Sequence, residues 1–298
     1  MSVGQIHDLG YKRYAGARRS MESRWTVIMR HQLASAWKTW WRYKVWLAAA
    51  VIATAIAAGF LYLTSDRMIR MLTSAGGRDI GLADGILPIS TEWYCKIGLI
   101  VSLTISSTVV AGDVQSGAFT FYFARSVHPR DYLVGKLVGL GLLLSSIMLV
   151  GPVLLAGLRL GLSDDRDQLL ALLPIVPKAL AIGALGTLIY AAVPLGFSAI
   201  IANRGYALAL WAAYDILIGG MASWLGEIGS PTIGALDLPS ALQAVSFALF
   251  DVQMLGQRTL AIPISAALIS ILGHAAIAIG LVYWRVRRAQ ATGVGGSS

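Results

Sequence analysis

The chain has 298 residues, of which 56% are hydrophobic and only 13% charged, and its mean hydropathy is +0.68. Soluble domains carry about 25% charged residues, so the composition excludes an ordinary soluble globular enzyme and calls for lipid as the solvent. A net charge of +9 would raise nucleic acid as a partner in a soluble protein; here Lys and Arg flank apolar runs, where they set orientation, and no nucleic-acid partner is expected.

The first 44 residues are basic and rich in tryptophan, without the apolar core of a cleavable signal, so the first apolar run is expected to be a retained span. Within them, residues 22–44 place Trp25, Ile28, Met29, Leu33, Trp37 and Trp40 at helical spacing, with Arg24, Arg30, Lys38 and Arg42 largely opposite. This pattern predicts an amphipathic helix lying in the membrane interface, tryptophans at headgroup depth and basic residues toward anionic lipid. Six runs then qualify as transmembrane helices: Val45–Leu63, Trp93–Ala111, Leu133–Leu158, Ile175–Ile201, Tyr206–Leu225 and Ile264–Trp284. Each reaches the roughly 17–20 residues needed to cross about 30 Å of hydrocarbon, and lipid leaves helix as the plausible form for runs of this length. The segment 226–263 holds a further amphipathic stretch opened by Pro239 and Ser240, with Leu242, Val245, Leu249 and Val252 on one face, expected to dip into the outer interface. A tail of residues 286–298 ends Gly/Ser-rich.

The fold class is therefore all-α integral membrane: residues 1–44 as a cytoplasmic N-terminus with its interfacial helix, 45–285 as a six-span domain, and 286–298 as a cytoplasmic tail. Orientation follows from the basic residues. With the N-terminus inside, about two thirds of the 24 Lys and Arg residues fall in cytoplasmic segments. Asp66, Asp79, Asp84, Glu92, Asp164, Asp165, Asp167, Glu227, Asp237 and Asp251 all fall outside. Small residues such as Gly135 and Gly139, Gly183 and Gly186, and Gly219 and Gly220 allow close helix approach, within the chain or across a dimer.

The segment between the second and third spans, AGDVQSGAFTFYFARSVHPRDYLVGK over 111–136, combines an acidic residue, a Gly-Ala pair, an aromatic turn, an Arg and an Arg-x-Tyr-Leu-x-Gly-Lys entry into the next span. It resembles the coupling segment of the permease subunits of ABC-2 type transporters. The N-terminal IHDLGYKRYAG is similar to the start of some bacterial permeases of this kind. The arrangement of connecting helix, six spans and long outer loop is similar as well. One departure is that the family often has Arg-Pro-Val, whereas Arg125-Ser126-Val127 here precedes Pro129.

The resemblance implies a bacterial cytoplasmic (inner) membrane protein working as a dimer, with itself or a paralogous permease. It also implies two copies of an ABC ATPase docking on residues 112–131, and transport that is export rather than uptake. Asp113, Arg125, Arg130 and Asp131 would supply polar docking contacts, and Phe119, Phe121 and Tyr122 the apolar anchors.

The chain itself carries no catalytic motif. Gly135-Lys136 is followed by Leu137 and lacks the first Walker A glycine, so ATP and Mg would belong to the partner subunit and no cofactor is expected here. The lone Cys95 and the scattered His7, His31, His128 and His274 offer no metal or bis-histidine haem site. An ion-coupled carrier would want several mid-span acids, and only Asp215 qualifies; it is a candidate intramembrane polar site, with His274 of the sixth span as its possible partner. A non-transporting scaffold or a force-transmitting subunit remains the alternative from another class.

The topology is directly testable. Alkaline phosphatase fused after residue 163 is expected to be active in the periplasm, and the same enzyme fused after residue 126 inactive. A fluorescent protein at the C-terminus is expected to mature in the cytoplasm.

Overall fold

The computed structural model describes residues 24–65, 82–124, 127–252 and 261–291, and every regular element among them is helical. Six helices are long and apolar enough to cross a membrane: span 1 (Trp40–Ser65), span 2 (Gly85–Gln115), span 3 (Pro129–Gly161), span 4 (Arg166–Ile200), span 5 (Arg204–Ile228) and span 6 (Ile264–Ala291). This is the fold of a multi-pass helical membrane protein. Three further helices matter for the sites: α1 (Arg24–Lys38), α2 (Ala118–Ala124) and α3 (Leu238–Phe250).

The spans overlie the predicted runs but extend beyond them, and the reason is tertiary. Span 2 takes in a polar start, before Trp93, that hydropathy alone leaves out. There Ser90 and Thr91 are buried, and their hydroxyls donate back to the Leu87 carbonyl at 2.7 and 3.3 Å. Thr91 also meets Ser246 of α3 at 3.4 Å. Polar side chains satisfied in this way can enter a bundle at little cost. Span 6 likewise runs to Ala291, past the expected start of the tail at 286.

Span 4 is the hub. It packs against spans 2, 3 and 6 and α3, and from Ile189 to Gly196 every residue is buried. Glycine makes these approaches possible. A Cβ on Gly196 would lie 2.6 Å from the Ala278 Cβ of span 6, and one on Gly183 would lie 2.7 Å from the Leu149 Cα of span 3. Spans 1 and 5 stand at the periphery instead, with Val51, Ile52, Ile56 and Phe60 of the former and Ile216, Leu217 and Met221 of the latter exposed as lipid-facing residues would be.

The two amphipathic helices are seated against protein. In α1, Ile28, Gln32 and Ala36 are buried against span 3, because Gly135 and Gly139 open a groove for them. Trp37, Trp40 and Trp41 remain exposed. In α3, the stripe containing Leu242 and Val245, expected to meet lipid, is instead buried among the spans together with Leu238 and Ala241. An apolar stripe records only that water is avoided; here spans 2, 4 and 6 are close enough to cover it.

Four segments predicted to share one side converge at one end of the bundle. Helix α1 lies on span 3, α2 touches the end of span 6, and Arg204 reaches the Gly112 carbonyl. A Cβ on Gly135 would lie 2.7 Å from the Trp25 carbonyl oxygen and 2.8 Å from the Ile28 Cβ. Gly135→Val is therefore expected to unseat α1 and cost about 1–3 kcal/mol by overpacking. Thermal unfolding in detergent reads this as a lowered midpoint, with Gly141→Val, which points into open space, as the control that leaves it unchanged.

Candidate functional sites

The segment that resembles a coupling element is a helix, a turn and a second short helix. Span 2 ends at Gln115, and Gly117 turns the chain at φ +68°, in the left-handed region that favours glycine. Helix α2 follows, and span 3 opens at Pro129 with His128 and Asp131 capping it: the His128 N–H donates to Asp131 Oδ2 at 3.2 Å. Arg125 lies outside the described residues.

Beneath this turn sits a polar latch. Lys136 is only 3% exposed, and its Nζ is 2.8 Å from Asp113 Oδ2. The Tyr132 hydroxyl donates to the same oxygen at 2.7 Å, and Lys136 reaches Gln32 Oε1 of α1 at 3.4 Å. One carboxylate therefore joins span 2 to span 3, and one lysine joins both to α1. A cleft of about 160 Å³ opens beside it, with Arg42 and Arg204 in its wall.

The expected docking residues divide. Asp113 is engaged within the chain, Asp131 caps span 3, and Phe119 is 1% exposed, edge-on to Tyr132 with ring centroids 5.3 Å apart. These three hold the segment in place. Tyr122 is half-buried against Tyr132, and burial, assisted by the negative charge of Asp113, pushes its phenol up to about 12, so it stays protonated. Phe121 and Arg130 are exposed, Phe121 at 75%. Among the described members of the predicted set, these two alone are exposed.

A second feature lies toward the other end of the bundle, beside α3. Span 5 leaves regular α-helical bonding at a π-turn, Tyr214–Gly219, an irregularity often found at functional sites. It presents neighbouring residues to different surroundings. Tyr214 meets His274 of span 6: His274 Nδ1 lies 2.7 Å from the Ser270 carbonyl, which only accepts, so Nδ1 carries the proton. In the neutral ring Nε2 then accepts from the Tyr214 hydroxyl at 2.5 Å. Asp215 instead lines a cavity of about 530 Å³ between spans 2, 4 and 5 and α3. The structure thus does not pair Asp215 with His274; the tyrosine one residue earlier holds the histidine.

Asp237, at the start of α3, shares this cavity and presses close to span 5. A Cβ on Gly219 would lie 2.9 Å from its Oδ1. Burial pushes the Asp237 carboxyl up, and hydrogen bonding from Ser240 pulls it part of the way back. Tyr132, Gln32, Tyr190 and Asp237 are the residues that sequence reasoning missed as members of these sites. A usable signal existed only for the first, since Tyr132 and Lys136 are spaced one helical turn apart.

Among the described residues, no group of His, Cys, Asp and Glu is arranged to hold a metal ion. No protein-family model matches the chain, and no curated protein matches it significantly.

The latch makes a quantitative prediction. Removing one member of a buried ion pair strands the other and costs about 3–5 kcal/mol; with Asp113 at 18% exposure the lower end is expected. Lys136→Met should lower the unfolding midpoint markedly, and Asp113→Asn combined with Lys136→Met should recover much of the loss. A double variant no more stable than the single one would mean that the pair is not coupled.

Proposed function

We propose that this chain is the transmembrane permease subunit of an ABC-2 type transporter in a bacterial cytoplasmic membrane, with both termini in the cytoplasm. It would act as a homodimer or beside a paralogous permease, driven by two copies of a separate ATPase and exporting its substrate. Helix α1 would lie at the cytoplasmic interface, its basic side toward anionic headgroups, and α3 would cap the bundle on the outer side.

The observation that carries this reading is the internal bracing of residues 109–124 and 127–136 joined to the exposure of Phe121 and Arg130. A permease without its own nucleotide site must receive force through a short element that does not bend away. The Asp113–Lys136 pair, the Tyr132 hydroxyl and the Phe119 ring brace the segment against spans 2 and 3, while Phe121 and Arg130 stay open. An exposed aromatic beside a charged rim is the usual composition of an interface anchor. Displacement of the tip would pass through span 3 and Lys136 to α1, so the whole end would move together. The same brace also suits a subunit that transmits force without moving a substrate.

The test is co-purification in mild detergent with candidate ABC ATPase subunits from the same genome. The wild type is expected to form a stable complex, and Phe121→Ala/Arg130→Glu to lose it with the permease still folded. Failure of the wild-type proteins to associate across several lipid conditions, with the permease intact, would remove the ABC assignment and leave the six-span fold.

A further inference from the structure

The cavity beside α3 holds carboxyl groups that the chain does not pair with a cation. Of its acidic residues, Glu92 is matched by Lys96 at 2.7 Å, one helical turn away. Asp215 makes no hydrogen bond or ion pair with a described residue, and Asp237 is bonded to the uncharged Ser240. Glu227 lies exposed at the rim. A carboxylate in a span without a counter-charge is costly and marks a functional position.

A separate observation points the same way. Tyr190 of span 4 is 1% exposed and lines this cavity, yet its hydroxyl has no hydrogen-bond partner among the described residues. The Cys95 thiol beside it is a weak one at best. Buried hydroxyls are nearly always satisfied, and an orphan on a cavity wall implies that the cavity admits water or a ligand, whose acceptor atom completes it.

We propose that this cavity binds a lipophilic organic cation. Its volume of about 530 Å³ falls in the range of roughly 300–1,000 Å³ that takes drug-sized molecules. Asp215 and Asp237 present carboxyl groups from two sides, and a bound cation favours their ionised form. Tyr190 and Trp224 add aromatic surface, to which a cation is drawn by the negative ring face, and Leu99 and Ile216 supply apolar contact. Asp215 faces the cavity wall while its neighbour Tyr214 faces His274, as consecutive residues of a helix point in different directions. As a substrate class the cation rests on the transporter reading; as a binding site it does not, because it is measured on this chain alone.

The experiment is equilibrium binding of radiolabelled tetraphenylphosphonium to the full chain in nanodiscs, with empty discs subtracted and no ATPase present. Tetraphenylborate, an anion of nearly the same shape, is the comparison. Saturable binding of the phosphonium but not the borate is expected, weakened about tenfold or more by Asp215→Asn, which removes a charged partner from the site. Gly220→Leu is the second variant. Gly220 lines the cavity, and a Cβ there meets nothing within 4 Å, so an aliphatic side chain that adds no π-face enters open cavity space and is expected to weaken binding as strongly. No saturable binding by the wild type, equal binding of the two ions, or binding that survives both substitutions overturns the proposal. Loss of ATPase association would leave all of these readings unchanged and would count against the transporter proposal alone.

Discussion

A buried lysine needs a negative partner, and the way Lys136 finds one organises an entire end of this protein. Its ammonium meets Asp113 at 2.8 Å and Gln32 at 3.4 Å, so three helices distant in sequence are held by one charge. Neither ion would be stable there alone. Because the pair is satisfied by a third group, the Tyr132 hydroxyl, the carboxylate is oriented as well as neutralised. The aromatic packing of Phe119 and Tyr122 on Tyr132 follows from that placement, and so does the outward direction of Phe121.

Close helix approach is the second requirement, and glycine provides it. Gly135 and Gly139 bring α1 near enough for Gln32 to reach Lys136, and Gly183 and Gly196 draw spans 3 and 6 onto span 4. In a membrane the packing of small residues takes the place of much of the hydrophobic drive that assembles soluble cores. The opposite pattern surrounds the cavity. There the helices do not close: a π-turn interrupts span 5, α3 approaches through Asp237 and Gly219, and a space of about 530 Å³ remains. The Asp113–Lys136 end is held by mutually paired polar groups, whereas beside the cavity Asp215 and Asp237 have no cationic partner among the described residues.

Much of the architecture was legible beforehand. Long apolar runs and their flanks are local properties, so the six spans could be found from composition, and the positions of α1 and α3 from periodicity. The candidate sites were legible only in part. The segment 111–136 was recognisable as unusual, but Asp113, Asp131 and Phe119 read as docking residues when the structure engages them internally. Exposure depends on which groups a residue meets: Asp113 and Phe119 meet Tyr132 of span 3, and Asp131 caps the start of its own helix through the His128 N–H. The pairing of Asp215 with His274 was plausible because both are polar and intramembrane. The neighbouring residue, Tyr214, is the one whose direction on the helix meets His274.

The sequence by itself determined that lipid is the solvent, how many helices cross it and roughly where each begins. Transfer of apolar residues from water is a sum along the chain and needs no knowledge of neighbours. Only the tertiary structure decided which polar groups meet. That Lys136 faces Asp113, that α3 turns its stripe inward, and that Tyr190 and Asp215 share an open cavity depend on helix rotation and on distances of a few ångströms between elements far apart in sequence. Hydropathy carries no record of rotation about a helix axis, and function in this protein is written in that coordinate.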